Sequence, residues 1–146
     1  MSKMLDHHVV ARAREIITDE KHWTQFDYAQ LDSSDEADPA DPGAVRFCAV
    51  GALRRAAHEL TSDSESFTAL ADRVQEGIDS FVKTRSHLKS NFSIEDLNDA
   101  EGGHADVLKL FDDYLANSQC FLSIFAACSA ATRSGPGGSA TPRGRD

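Results

Sequence analysis

The chain has 146 residues, a length typical of a single domain. Its 24 acidic residues outnumber its 15 Lys and Arg residues, and the resulting net charge of −9 argues against binding to nucleic acids or to anionic membrane surfaces. The first residues lack the pattern of a secretory signal, and no apolar run is long enough to span a bilayer, so we expect a cytoplasmic protein.

Apolar residues recur at helical spacing in four segments, which predicts amphipathic helices over residues 3–19, 44–60, about 67–81 and 104–118. Pro42 and Gly43 mark the start of the second helix, and Ser93 caps a further short turn. No pair of segments has the pattern of paired strands. The sequence therefore predicts a mostly α, compact single-domain bundle of about four to five helices.

Residues 32–43 are rich in Asp, Glu and Pro and have almost no apolar content, which predicts a long, solvated acidic loop. We expect the helical domain to cover residues 1–117. An apolar C-terminal segment follows at 118–132, and the sequence does not decide whether this segment is ordered. The small, polar residues 133–146 predict a disordered tail. The three cysteines cannot all pair within one chain, and we expect them to be free thiols.

Cys48 is one candidate for chemistry, because it lies near the predicted start of the second helix. A helix N-terminus lowers the pKa of a thiol and favours the reactive thiolate. His104 could act as the base, and Asn98 or Asp99 could orient it, as in a small cysteine-dependent hydrolase or transferase. The alternative is a core cysteine, since Cys is among the most buried residue types.

The stretch LNDAEGGHAD, residues 97–106, is a second candidate. Asp99, Glu101, His104 and Asp106 offer oxygen and nitrogen ligands to a divalent metal, but their spacing matches neither a calcium loop nor a two-His zinc helix. Paired glycines that turn the chain through positive φ, with carboxylates near the start of a helix, explain the same residues without a metal. We therefore expect no metal and no other cofactor.

The only Trp, Trp23, precedes Gln25 and Tyr28 in a third candidate segment. These side chains could form an aromatic pocket with a polar rim that binds a small ligand or a peptide. We favour the alternative, in which Trp23 covers the core, since Trp is highly buried on average.

Four short motifs resemble a family of small bacterial and phage-associated proteins, which is known only as a domain of unknown function. They are WTQ at 23–25, FCAVGALRRAA at 47–57, LND at 97–99 and GHADVLKLFD at 103–112. The resemblance covers roughly residues 5–116 and carries no activity with it. It implies that the pattern singles out six positions: Trp23, Cys48, Gly51, Asn98, Asp99 and His104.

No spacing in the sequence requires a particular reaction. We therefore favour a non-enzymatic module that binds another protein or a small ligand over an enzyme that uses Cys48 and His104, or a metal site at Asp99. Self-association through the apolar residues 120–131 is also open, because an exposed apolar patch favours contact with a second copy.

Overall fold

Five α-helices and one small sheet form the computed structural model, which describes residues 2–61, 63–84 and 93–117. The helices are α1 (Ser2–Ile16), α2 (Ala49–Leu60), α3 (Ser64–Lys83), α4 (Ile94–Asp99) and α5 (residues 103–117). The strands are β1 (Ala29–Leu31) and β2 (Ala44–Phe47), and a 3-10 turn covers Glu20–His22. The prediction of a mostly α, compact bundle of four to five helices is confirmed.

Helix α2 lies at the centre of the core and packs against both α1 and α3. Its buried face consists largely of small residues, among them Ala49, Ala52, Ala56 and Ala57. Small side chains let neighbouring helices approach closely, and Val9 and Val10 of α1 are completely buried in the same core.

The spacing of apolar residues in α3 is the signal that the sequence carried most clearly. Leu70, Val74, Ile78 and Val82 are all buried, and they follow one another at intervals of four residues. Asp63 caps the helix, because its side chain accepts a hydrogen bond from the backbone N–H of Ser66 at 2.9 Å.

The prediction that no strands pair was wrong, and so was the start of the second helix. Strands β1 and β2 pair antiparallel, with Ala29 opposite Phe47. Residues 44–47 are therefore extended, and α2 begins only at Ala49. The Pro42–Gly43 pair belongs to a turn in which the Asp41 carboxylate accepts a hydrogen bond from the Gly43 N–H at 2.8 Å.

The acidic connection between the strands is irregular, but hydrogen bonds attach it to the rest of the protein at several residues. The Ala37 N–H donates to the Ala29 carbonyl at 2.9 Å. The Arg55 guanidinium donates to the carbonyls of Pro39 and Asp41, at 3.1 Å and 2.9 Å. These bonds connect residues 37–41 to β1 and α2.

The predicted segments 118–132 and 133–146, with Cys120 and Cys128, lie outside the described residues. The boundary expected at residue 117 therefore stays a prediction. Within the described residues, no helix combines the length and the apolar character that crossing a membrane requires.

Candidate functional site

The side chain of Asn98 joins three separate parts of the chain. Its Oδ1 accepts hydrogen bonds from the Trp23 indole Nε1 at 2.7 Å and from the Ala49 N–H at 2.9 Å. Its Nδ2 donates to the Thr24 carbonyl at 3.2 Å and to Asp99 Oδ1 at 3.0 Å. Asn98 is only 1% exposed, and all four of its side-chain hydrogen bonds are made. We call Trp23, Thr24, Gln25, Ala49 and Asn98 the clasp.

Gln25 closes the clasp from the other side. Its Nε2 donates to the backbone carbonyls of Asn98 and Ala100, both at 3.1 Å. Carbonyls at the end of a helix have no partner within the helix, and Gln25 satisfies two of them at the end of α4. The segment 23–25 is therefore fixed to α4 by side chains of both.

His104 supports the clasp at the start of α5. Its Nε2 lies 2.7 Å from the Ile17 carbonyl, so this nitrogen carries the proton and donates the hydrogen bond. The imidazole ring also lies 5.2 Å from the Trp23 ring, measured between centroids. Through these two contacts, His104 packs beside Trp23 and connects α5 to the end of α1.

Two glycines allow the backbone to approach closely around the clasp. A Cβ atom on Gly51 would lie 1.7 Å from the Tyr28 carbonyl oxygen, and one on Gly103 would lie 2.1 Å from the Asn98 carbonyl oxygen. Only glycine fits at such distances. The neighbouring Gly102 has a φ of 77°, as the paired glycines predicted for the turn into α5.

Cys48 is the N-cap of α2, where its Sγ accepts a hydrogen bond from the Gly51 N–H at 3.3 Å. The sequence left two interpretations of this thiol open, a reactive thiolate at a helix start and a core cysteine, and its burial favours the second. Burial raises the pKa of Cys48 to about 11, although the hydrogen bond from Gly51 acts in the opposite direction. Only 6% of the residue is exposed, and a buried thiolate would lose its hydration.

A pocket of about 420 Å³ lies beside the clasp, between residues 26–28, which precede β1, and α4. The Tyr28 hydroxyl donates to Glu95 Oε2 at 3.1 Å and so connects the two sides. Glu95 raises the pKa of Tyr28, because a negative charge disfavours the phenolate. Nine residues line the pocket: Phe26, Asp27, Tyr28, Cys48, Glu95, Asp96, Asn98, Asp99 and Ala100.

Four of the lining residues are acidic: Asp27, Glu95, Asp96 and Asp99. Within residues 2–61, 63–84 and 93–117, no Lys or Arg forms an ion pair with any of the four. Each carboxylate accepts hydrogen bonds through one oxygen, from Gln30, Tyr28, Ser93 or Phe26. The described contacts leave the second oxygen of each group available.

Comparison with known proteins places the chain among relatives of undetermined role. Residues 1–117 match DUF6197, a family of unknown function. The chain belongs to this family. No curated protein and no solved structure matches it. The match supports the predicted resemblance to a domain of unknown function and adds no activity to it.

In this DUF6197 member, some of the candidate residues identified from the sequence line the pocket and others do not. Cys48, Asn98 and Asp99 line the pocket together with Tyr28, whereas His104 does not line it. Trp23 and Gln25 belong to the clasp. In the described part of the chain, no three His, Cys, Asp or Glu side chains meet as a metal site would require, and the proposed ligands Asp99, Glu101, His104 and Asp106 all lie in that part.

Sequence reasoning missed five of the nine residues that line the pocket: Phe26, Asp27, Glu95, Asp96 and Ala100. Glu95 lies two residues after Ser93, in the first turn of α4, where carboxylates are common and need not indicate a site. Phe26 follows WTQ directly, and the signal that separates it from a core aromatic is its backbone conformation, which the sequence does not display.

Proposed function

We propose that this protein is a binding module, and that its ligand places a positively charged ammonium or guanidinium group in the pocket. The observation that carries the proposal is the set of four carboxylates, Asp27, Glu95, Asp96 and Asp99, that line one pocket without a Lys or Arg ion-pair partner among the described residues. The four carboxylates give the pocket a negative charge, and a cationic group that enters the pocket is attracted by that charge.

The aromatic residues of the pocket favour the same class of ligand. Tyr28 already interacts with one cation of the protein itself, because the Arg54 guanidinium carbon lies 4.8 Å from the centre of its ring. Such cation–π contacts add about 0.5–1 kcal/mol at exposed sites. Phe26 provides a second aromatic ring at the pocket.

A cysteine-dependent enzyme stays a prediction, but the contacts favour it less. A thiol with a pKa of about 11 is protonated at neutral pH. The Nε2 of His104 is already engaged by the Ile17 carbonyl, and His104 is not among the residues that line the pocket with Cys48. Nucleophile and base would have to meet before such chemistry could start.

The proposal is tested by an NMR titration of the full chain with N-acetyl-arginine amide, with N-acetyl-norleucine amide as the uncharged comparison. We expect amide shifts at residues 26–28 and 95–99 for the arginine compound alone. The Glu95→Gln, Asp99→Asn double variant should bind it about tenfold more weakly, since charge-assisted hydrogen bonds are lost.

The matched control is the Glu101→Gln, Asp106→Asn double variant. It also removes two negative charges, but from exposed residues that do not line the pocket. We expect it to bind N-acetyl-arginine amide within about twofold of the unmodified chain, since remote exposed charges are screened by salt. Equal weakening in both double variants, or equal shifts with the norleucine compound, would contradict the proposal.

A further inference from the structure

Phe26 combines two unusual properties, a positive φ and an exposed aromatic ring. It has a φ of 73°, a region that side-chain-bearing residues rarely adopt, and it is 78% exposed. Such a backbone conformation destabilises the fold, and an exposed ring recovers little of that cost by burial. The folded chain alone therefore gains little from an aromatic ring at this position.

Neighbouring contacts hold Phe26 in this conformation. Its N–H donates to Asp99 Oδ1 at 3.0 Å, and Asp99 in turn accepts from Asn98. The preceding residue, Gln25, is fixed by two hydrogen bonds to α4. A ring presented on a rigid backbone loses little conformational freedom when it binds a partner.

We propose that the ligand is a flexible basic segment of another protein, in which a Lys or Arg side chain enters the pocket and a neighbouring apolar side chain packs on Phe26. This inference rests on the proposed function and names its ligand. An exposed aromatic ring next to charged groups is the kind of residue that dominates binding energy at protein interfaces.

Charge supports a basic partner over a neutral one. The net charge of the chain is −9, and a field of that sign attracts positively charged partners over long distances and speeds their association. The four carboxylates line the same pocket as Phe26, and Asp99 accepts a hydrogen bond from the Phe26 N–H. A peptide that joins a cation to an apolar side chain would use both features together.

The shape of the site favours a peptide over a small free cation. Pockets for small molecules bury most of the ligand surface within largely apolar walls. Here acidic and aromatic side chains line a pocket whose Phe26 ring is mostly in solvent. A ligand that covers this ring must extend beyond the pocket.

The test selects random peptides displayed on phage against the full chain, with removal of peptides that also bind the Glu95→Gln, Asp99→Asn variant. We expect the enriched peptides to share a Lys or Arg within a few positions of an aromatic or aliphatic residue. Synthetic peptides with the enriched sequence are then titrated by fluorescence anisotropy. Phe26→Ala should weaken the peptide about tenfold, the cost of truncating a typical interface anchor.

Two comparisons make the result specific. Leu60→Ala, which shortens another exposed apolar side chain on α2, should leave the peptide affinity within about twofold, as surface substitutions away from a site do. Phe26→Ala should weaken the peptide by a larger factor than it weakens N-acetyl-arginine amide. Equal factors for the two ligands would overturn the inference.

Failure of this inference is distinguishable from failure of the proposed function. Enriched peptides without a basic residue, or no peptide that discriminates against the double variant, would overturn the peptide ligand. If N-acetyl-arginine amide still binds through Glu95 and Asp99, the pocket remains a cation site for small ligands. If neither ligand binds, both proposals fall.

Discussion

The clasp and the pocket are built from the same three parts of the chain, yet they differ in burial and in hydrogen bonding. In the clasp, Trp23, Gln25 and Asn98 satisfy one another's polar groups, and Asn98 is buried. In the pocket, Phe26 is mostly in solvent and Glu95 is exposed. Residues a few positions apart thus divide between holding the backbone and offering surface for binding.

This difference shows which of the motif positions serve the fold and which could serve binding. Trp23, Gly51, Asn98 and His104, four of the six positions that the pattern singles out, make contacts that fix the backbone. Asp99 contributes to both regions, since Oδ1 bonds to Asn98 and Phe26 while the residue also lines the pocket. The motifs therefore account for the fold more than for the ligand.

The largest expected effect is from Gly51→Ala. The added Cβ would lie 1.7 Å from the Tyr28 carbonyl oxygen, so β1 and α2 would have to separate. We expect a loss of more than about 3 kcal/mol in the free energy of unfolding, measured by urea denaturation. Gly77→Ala is the matched control, because its Cβ would meet only the Tyr114 hydroxyl at 3.6 Å. That variant should gain up to about 1 kcal/mol, and an equal loss in both would contradict the account.

Asn98→Ala should cost about 3 kcal/mol, because it leaves the Ala49 N–H, the Trp23 indole and the Thr24 carbonyl without their partner. The comparison is Asp99→Asn, which keeps an oxygen for Phe26 and Asn98 and should change stability by less than about 1 kcal/mol. Thermal unfolding followed by circular dichroism measures both. Similar losses in the two variants would remove the distinction between clasp and pocket.

The third prediction concerns the Cys48 thiol. Burial raises its pKa from 9.0 to about 11, so the folded thiol should alkylate about a hundredfold more slowly than the unfolded one between pH 7 and 8. Because the folded pKa is the higher one, the thiol stabilises the fold fully below pH 9, and this contribution is lost as the pH rises from 9 to about 11.

Iodoacetamide labelling read by intact mass measures the rate, in a chain that carries Cys120→Ser and Cys128→Ser. Unfolded protein in urea provides the reference rate. Rapid labelling of the folded chain near pH 6, with loss of that rate in His104→Ala, would instead favour the cysteine-dependent enzyme.

The smallest expected effect is from Phe26→Gly. Glycine adopts positive φ without strain, and the ring that is lost is mostly in solvent. We expect a gain of about 0.5–1 kcal/mol in the free energy of unfolding, together with weaker peptide binding. Ser34→Gly, at a similar φ of 76°, gives the size of the backbone contribution alone. A loss of stability in Phe26→Gly would show that the ring serves the fold.

The helices could be predicted from sequence because their signal is local. Val74 and Ile78 recur at a helical interval, and that interval alone determines which face is buried. The hairpin could not be predicted from sequence, because β1 and β2 have only three and four residues. Hydrogen bonds to distant parts of the chain hold them in place. The Thr24 N–H donates to the Phe47 carbonyl, for example, a contact that no local pattern encodes.

The candidate site was predictable only in part, for a related reason. The segments that carry Tyr28, Cys48, Asn98 and Asp99 could be identified as unusual, and these residues do line one pocket. The chemical properties of these residues depend on their burial, which is set by tertiary structure. The position of Cys48 at a helix N-terminus favours a low thiol pKa, and desolvation reverses the direction.

The most direct test of the account is the free energy of unfolding of the Glu95→Gln, Asp99→Asn variant at low ionic strength. If the pocket carboxylates serve a ligand and not the fold, removing two of the four negative charges should leave stability unchanged or raise it by up to about 1 kcal/mol. A loss of more than about 1 kcal/mol would show that these carboxylates stabilise the fold like the clasp, and would contradict the separation between the two regions.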